Sequence, residues 1–78
     1  MTNKTIDTIN DHYTNAIAEE RQRAEYAVED FNAARESGNT EEMAHQNALL
    51  VRAQANIAEL QAAGERDFAL AQEMERAS

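Results

Sequence analysis

The chain contains no cysteine, no proline and two glycines in 78 residues. The missing cysteines exclude a disulfide framework and thiolate metal sites, and two histidines are too few for a histidine-rich metal cluster. The missing prolines favour long uninterrupted helices. Nowhere do ten apolar residues follow one another, so we expect neither a signal peptide nor a membrane-spanning helix, and we expect a cytoplasmic protein.

Basic residues are also scarce, because seven Lys and Arg stand against fifteen Asp and Glu, which gives a formal net charge of −8. A surface of this sign repels phosphate backbones and anionic lipid head groups, so direct binding to nucleic acid or to a membrane is disfavoured. A chain of this length forms at most one domain and buries a small fraction of its surface. We therefore expect it to need a partner, either another copy of itself or another protein.

The abundant residues, Ala, Glu, Gln, Arg and Leu, are strong helix formers. One stretch looks like a stop, because Gly38 can take the left-handed conformation that ends a helix. Asn39 or Thr40 can then cap the next helix, with Glu42 completing a capping box. The sequence therefore predicts an all-α, single-domain helical hairpin over residues 1–78, with helices over about 4–36 and 41–77 and a turn over about 37–40. We expect two hairpins to pair into a four-helix bundle or a coiled-coil dimer.

Both predicted helices have an apolar face. At about 100° per residue, one side of the first helix gathers a continuous set: Ile6, Ile9, Tyr13, Ala16, Ile17, Ala24, Ala27, Val28, Phe31 and Ala34. On the second helix a heptad seam contains Met43, Leu50, Ile57, Gly64 and Ala71, with Gln46, Ala53, Leu60 and Asp67 at the companion position. An antiparallel register then sets Tyr13 beside Gly64, where an interior helical glycine makes room for the ring. The alternative is that the second helix ends at Ala63 and a short third helix starts at Glu65.

A second row of small apolar residues lies on another side of the second helix. Its members are Ala44, Ala48, Val51, Ala55, Ala58 and Ala62, spaced by three and four residues. This spacing predicts an interface with a second subunit or another protein. The alternative is that alanine fills surface positions because it favours helix formation.

Three polar residues interrupt the apolar pattern. Glu20 falls inside the apolar face of the first helix, and Gln46 and Asn56 lie on the second helix. A charge on such a face must be paired, hydrated or neutralised. Glu20 is therefore either a rim position, whose carboxylate reaches water or Arg52, or a polar core position that sets register or partner choice together with Gln46 and Asn56.

Chemical motifs are sparse. Glu42 and His45 form the E-x-x-H spacing of di-iron bundles, but the inward-facing acid Glu20 lies roughly 16 Å too far along the axis to share a metal with them. A hairpin with so few candidates cannot assemble a nucleophile triad, and glycine-rich phosphate loops are missing. We therefore predict no catalytic residues, no cofactor and no metal site.

These observations rank three functions. The leading prediction is a non-catalytic protein–protein interaction module, a small acidic regulator, adaptor or chaperone that acts through its helix faces. The alternative is an acidic inhibitor that mimics nucleic acid on a DNA- or RNA-binding enzyme, of the kind that a phage or mobile element encodes. A di-metal carboxylate bundle is the minor alternative.

Overall fold

The computed structural model describes residues 4–77, and the side chains of residues 6–77. Helix α1 spans Lys4–Ser37 and helix α2 spans Thr40–Ala77, and the two pack along each other. The described residues contain no strand. The predicted all-α helical hairpin is therefore confirmed, and each helix begins and ends within one residue of the predicted position. Helix α2 continues through Gly64, as the interior-glycine interpretation predicted.

The end of α1 is built on a single left-handed residue. Gly38 has φ of +74°, a conformation that residues with a Cβ adopt at a cost. The N–H of Gly38 donates a hydrogen bond to the carbonyl oxygen of Arg35 at 3.2 Å. The N–H of Asn39 donates to the carbonyl oxygen of Ala34 at 2.9 Å. This pair of bonds is the Schellman arrangement, which satisfies carbonyl groups that the last turn of a helix leaves free.

Helix α2 starts directly after this turn because Asn39 also serves as its N-cap. The Asn39 side-chain oxygen accepts a hydrogen bond from the backbone N–H of Glu42 at 3.1 Å. The other half of the predicted capping box does not form. The Asn39 N–H is already used at the end of α1, and the Glu42 carboxylate accepts instead from Gln46. One asparagine therefore ends one helix and begins the next.

The two helices pack closely, but few and mostly small side chains are buried between them. The buried apolar residues are four alanines, Ala27, Ala34, Ala53 and Ala71, and no described side chain is fully buried. Larger seam residues such as Ile17, Leu50 and Leu60 are half-buried. The prediction for Val28 is wrong for this hairpin, since its side chain is 41% exposed. Val28 lies about 100° around α1 from Ala27 and so points past the edge of α2.

The hairpin is a thin rod of 60 × 17 × 9 Å. Its radius of gyration is 17.8 Å, whereas a compact chain of this length has about 11.5 Å. Its accessible surface is 6,100 Å², whereas a compact monomer of this mass exposes about 4,700 Å². Within residues 4–77, neither helix has a stretch long and apolar enough to cross a lipid bilayer.

Candidate functional site

The most unusual feature of the molecule is where its large apolar side chains lie. Seven of them are exposed: Tyr26, Val28, Leu49, Val51, Phe68, Leu70 and Met74. Their exposure runs from 38% for Phe68 to 67% for Met74. Single exposed apolar residues are ordinary, but here alanines fill the buried positions while larger residues remain in water. Contiguous exposed apolar patches mark interaction sites, and these seven side chains are the candidates for forming one.

The predicted row of small residues forms one solvent-facing side of α2. All six members, Ala44, Ala48, Val51, Ala55, Ala58 and Ala62, are exposed. At about 100° per residue they lie opposite the seam of Leu50 and Ile57, which faces α1. We call this side the outer face of α2. Its role as an interface stays a prediction.

Five acidic residues lie on the side of α1 that points away from α2. This acidic outer face consists of Asp7, Asp11, Glu25, Glu29 and Glu36, all of them exposed. Arg21 borders this side, since it lines a surface groove together with Ala18 and Glu25. Helix α2, by contrast, has no Asp or Glu between Met43 and Ala58. Five of the fifteen acidic residues lie on this side of α1, while α2 carries seven outside that stretch.

Glu20 lies in an open groove along one side of the hairpin, which Arg23, Asn56 and Arg52 also line. Its side chain is 12% exposed, and Oε1 accepts a hydrogen bond from Nη1 of Arg23 at 2.7 Å. Sequence reasoning offered water or Arg52 for this carboxylate; the structure pairs it with Arg23, and Arg52 lines the same groove. Arg23 stands three residues away on the same helix, within direct reach of the carboxylate.

Gln46 and Asn56, the other predicted polar core positions, differ in burial. Gln46 is 8% exposed, and its Nε2 donates to Oε1 of Glu42 at 2.7 Å. Asn56 is half-buried in the groove beside Glu20. Because the hydrogen bonds of Glu20 and Gln46 stay within their own helices, they do not tie α1 to α2. Their role in setting register stays a prediction.

A polar contact does join the helices at Tyr13. A Cβ on Gly64 would lie 3.2 Å from Cγ of Tyr13, so the glycine makes room for the ring as predicted. One turn further along α2, Asp67 accepts a hydrogen bond from the Tyr13 hydroxyl. This hydrogen bond raises the pKa of Tyr13, assisted by burial and by the carboxylate charge, while Arg66 opposes the shift.

Sequence reasoning missed the contact between Tyr13 and Asp67. It placed Asp67 in the seam but assigned it no partner. The signal was present, since Asp67 follows Gly64 by three residues and therefore lies one turn away on the same side. A tyrosine placed against Gly64 carries its hydroxyl toward that position.

The E-x-x-H motif shows no metal-like arrangement. The Glu42 carboxylate accepts from Gln46, and the side chain of His45 is exposed. Within residues 6–77, no three His, Asp or Glu side chains are grouped so that they could hold a metal ion.

Comparison with known proteins finds no relative: no family model, no curated protein and no solved structure matches this chain.

Proposed function

We propose that this chain is a non-catalytic protein–protein interaction module, an acidic helical hairpin that acts as a regulator, adaptor or chaperone through its helix faces. A cytoplasmic location, which rests on the sequence, is part of the proposal. The observation that carries it is the inverted apolar pattern, in which four alanines are buried and seven larger apolar side chains are exposed. Each apolar side chain moved from water into an interface contributes about 25 cal/mol per Å² of area.

The amount of exposed surface supports the proposal. The hairpin exposes 6,100 Å², which is roughly 1,400 Å² more than a compact monomer of its mass. A standard protein–protein interface buries about 800 Å² on each partner. One such interface would therefore fit within the surplus. A partner that binds the folded hairpin also stabilises it by mass action.

Affinity capture from the native host, with the full chain as bait, tests this function. We expect to capture a protein whose complex with the chain persists when the salt concentration is raised. Salt screens interactions between charges, but it does not weaken the burial of apolar surface in this way. Reconstitution with the purified protein should reproduce the complex. Failure to bind any protein, by a chain that is itself monomeric and cooperatively folded, would contradict the proposal.

The acidic outer face of α1 favours one second candidate, an inhibitor that occupies the nucleic-acid groove of an enzyme. Its carboxylates lie in two groups, Asp7 with Asp11 and Glu25 with Glu29 and Glu36, and each group could stand in for phosphates. Affinity for a basic nuclease or polymerase would then fall steeply with salt. The double variant Glu25→Gln, Glu29→Gln should weaken that binding, whereas binding through apolar faces should be unaffected.

A further inference from the structure

The groove side of the hairpin is the broad side that contains Glu20. Two adjoining grooves run along it, and Glu20 and Asn56 line both of them. Glu65 also lines one of these grooves, but it stands three residues after Ala62 and so belongs to the outer face of α2. Helical spacing of three and four residues extends the groove side along each helix. Its positions on α1 are His12, Ala16, Glu19, Arg23, Tyr26 and Asp30, and those on α2 are His45, Leu49, Arg52, Asn56, Glu59, Ala63, Arg66 and Leu70.

The charges on the groove side of α1 follow an ordered pattern. Glu19 and Arg23 stand two residues to either side of residue 21, and His12 and Asp30 stand nine residues to either side. Arg23 is hydrogen-bonded to Glu20, yet 67% of its side chain stays exposed and can meet a second carboxylate. Complementary groups therefore stand at equal distances from one point on α1.

The same order holds on α2. Asn56 is level with residue 21, because each lies eight residues from the contact between Tyr13 and Gly64. Arg52 stands four residues before Asn56, and Glu59 stands three residues after it. The two midpoints also lie near the middle of the rod, since α1 spans Lys4–Ser37. Opposite charges are thus arranged about one level on both helices.

Apolar side chains of different size are arranged about the same level. Tyr26 is 56% exposed and Leu49 is 42% exposed, and their counterparts at equal distance from the midpoints are Ala16 and Ala63. A layer with this order reversed would set each large side chain against a small one, as close packing requires. The Tyr26 hydroxyl already accepts a hydrogen bond from Nε2 of Gln22 at 3.0 Å, so the ring can be covered.

This order selects a second copy of the chain, turned end for end, as that layer. A two-fold axis at the level of Asn56 brings α1 over α1 and α2 over α2. Each Arg23 then meets Glu19 of the second copy, and each Arg52 meets Glu59 of the second copy. A parallel stack would bring α1 over α2 and set Glu19 against Glu59, with Arg23 close to Arg52. The antiparallel second copy supplies every complementary group from the same sequence.

We propose that a second copy of this chain stacks antiparallel on the groove side, so that two hairpins form a four-helix bundle with Tyr26 and Leu49 in its interior. This inference rests on the proposed function and names the partner. Burial of the apolar side chains supplies affinity, while the ion pairs fix partner and orientation. The roughly 1,400 Å² of surplus surface on each hairpin exceeds the about 800 Å² that each partner of a stable pair buries. The predicted alanine row then faces solvent.

A charge swap on α2 tests this arrangement. Arg52→Glu sets like charges together at both symmetric contacts, and the double variant Arg52→Glu, Glu59→Arg restores opposite ones. Neither position has a charged residue three or four places away on its helix, so the hairpin itself should be retained, which far-ultraviolet circular dichroism checks. Arg21→Glu, outside the groove side, makes the same change in net charge and is the control. Sedimentation equilibrium gives the mass and the dissociation constant of each protein.

We expect the unaltered chain to sediment as a dimer and Arg52→Glu to weaken dimerisation by about tenfold or more. The double variant should recover most of that affinity, and Arg21→Glu should leave it nearly unchanged. An equal loss in Arg52→Glu and Arg21→Glu, or a double variant no better than Arg52→Glu, would overturn the proposal. A monomeric unaltered chain would also overturn it. Capture of a different protein by that monomer would leave the proposed function standing, so the two failures are distinguishable.

The orientation can be measured separately, because the native sequence has no cysteine to interfere with labelling. Ser37→Cys puts one thiol at the turn, on an exposed position outside the groove side. In the antiparallel bundle, nitroxide labels there lie at opposite ends, roughly 50 Å apart at about 1.5 Å per residue. Double electron–electron resonance should find that separation. A separation within about 20 Å, which neighbouring helix layers would give, means a parallel stack and would overturn the proposal.

Discussion

Gly64→Ala offers a sharp test of how the two helices meet. In a helix interior, alanine is favoured over glycine by about 1 kcal/mol. Here the new Cβ would lie 3.2 Å from Cγ and 3.4 Å from Cδ2 of Tyr13. Overpacking of this kind costs about 1–3 kcal/mol, and a displaced ring also disturbs its hydroxyl's hydrogen bond to Asp67. We therefore expect Gly64→Ala to destabilise the protein by about 1 kcal/mol.

A double-mutant cycle isolates the contact. In a Tyr13→Ala background the obstacle is gone, so Gly64→Ala should stabilise the protein by about 1 kcal/mol. The coupling between the two positions is then about 2 kcal/mol. Tyr13→Phe is the matched control, since it keeps the ring and removes the hydroxyl. Urea unfolding at one fixed chain concentration gives each value. Equal stabilisation by Gly64→Ala in all three backgrounds would refute the reasoning.

Three further predictions concern the turn and the tyrosine. Gly38→Ala should destabilise the protein by about 1 kcal/mol, because φ is +74° there while no atom obstructs a Cβ, and Gly38→Asn should cost less. Asn39→Ala should lower the free energy of unfolding in urea by about 1 kcal/mol through loss of the N-cap. Asn39→Asp should keep most of that stability, because its carboxylate can accept the same hydrogen bond. In an alkaline absorbance titration, Tyr13 should ionise above its ordinary pKa, and Asp67→Asn should lower that pKa toward 10.0. Because the folded pKa is raised, this contact stabilises fully below about pH 10 and is lost as pH rises through the raised value.

Much of the hairpin's architecture can be predicted from short stretches of the sequence. Gly38 marks the turn because a left-handed residue is needed there and glycine adopts that conformation without strain. The antiparallel register counted from that turn then placed Tyr13 beside Gly64, where the structure has the ring. The first prediction uses the conformational freedom of one glycine, and the second uses the register that the turn imposes.

The errors have a common physical origin. Helical periodicity gives the direction in which a side chain points, but not how far the neighbouring helix extends. Val28 therefore points to the expected side and is still exposed. Glu20 bonds to Arg23, three residues away on its own helix, and periodicity alone does not choose between such a neighbour and a residue on the facing helix. The bond from Tyr13 to Asp67 belongs to the same class of detail.

The central claim is that the hairpin needs a partner for its stability, and the most direct measurement is its unfolding midpoint as a function of dilution. Circular dichroism follows thermal unfolding of the pure chain over a hundredfold range of concentration, with its mass determined at each point. We expect the midpoint to fall on dilution, as mass action requires of a chain stabilised by self-association. A monomer that unfolds cooperatively at the same temperature throughout would contradict the claim.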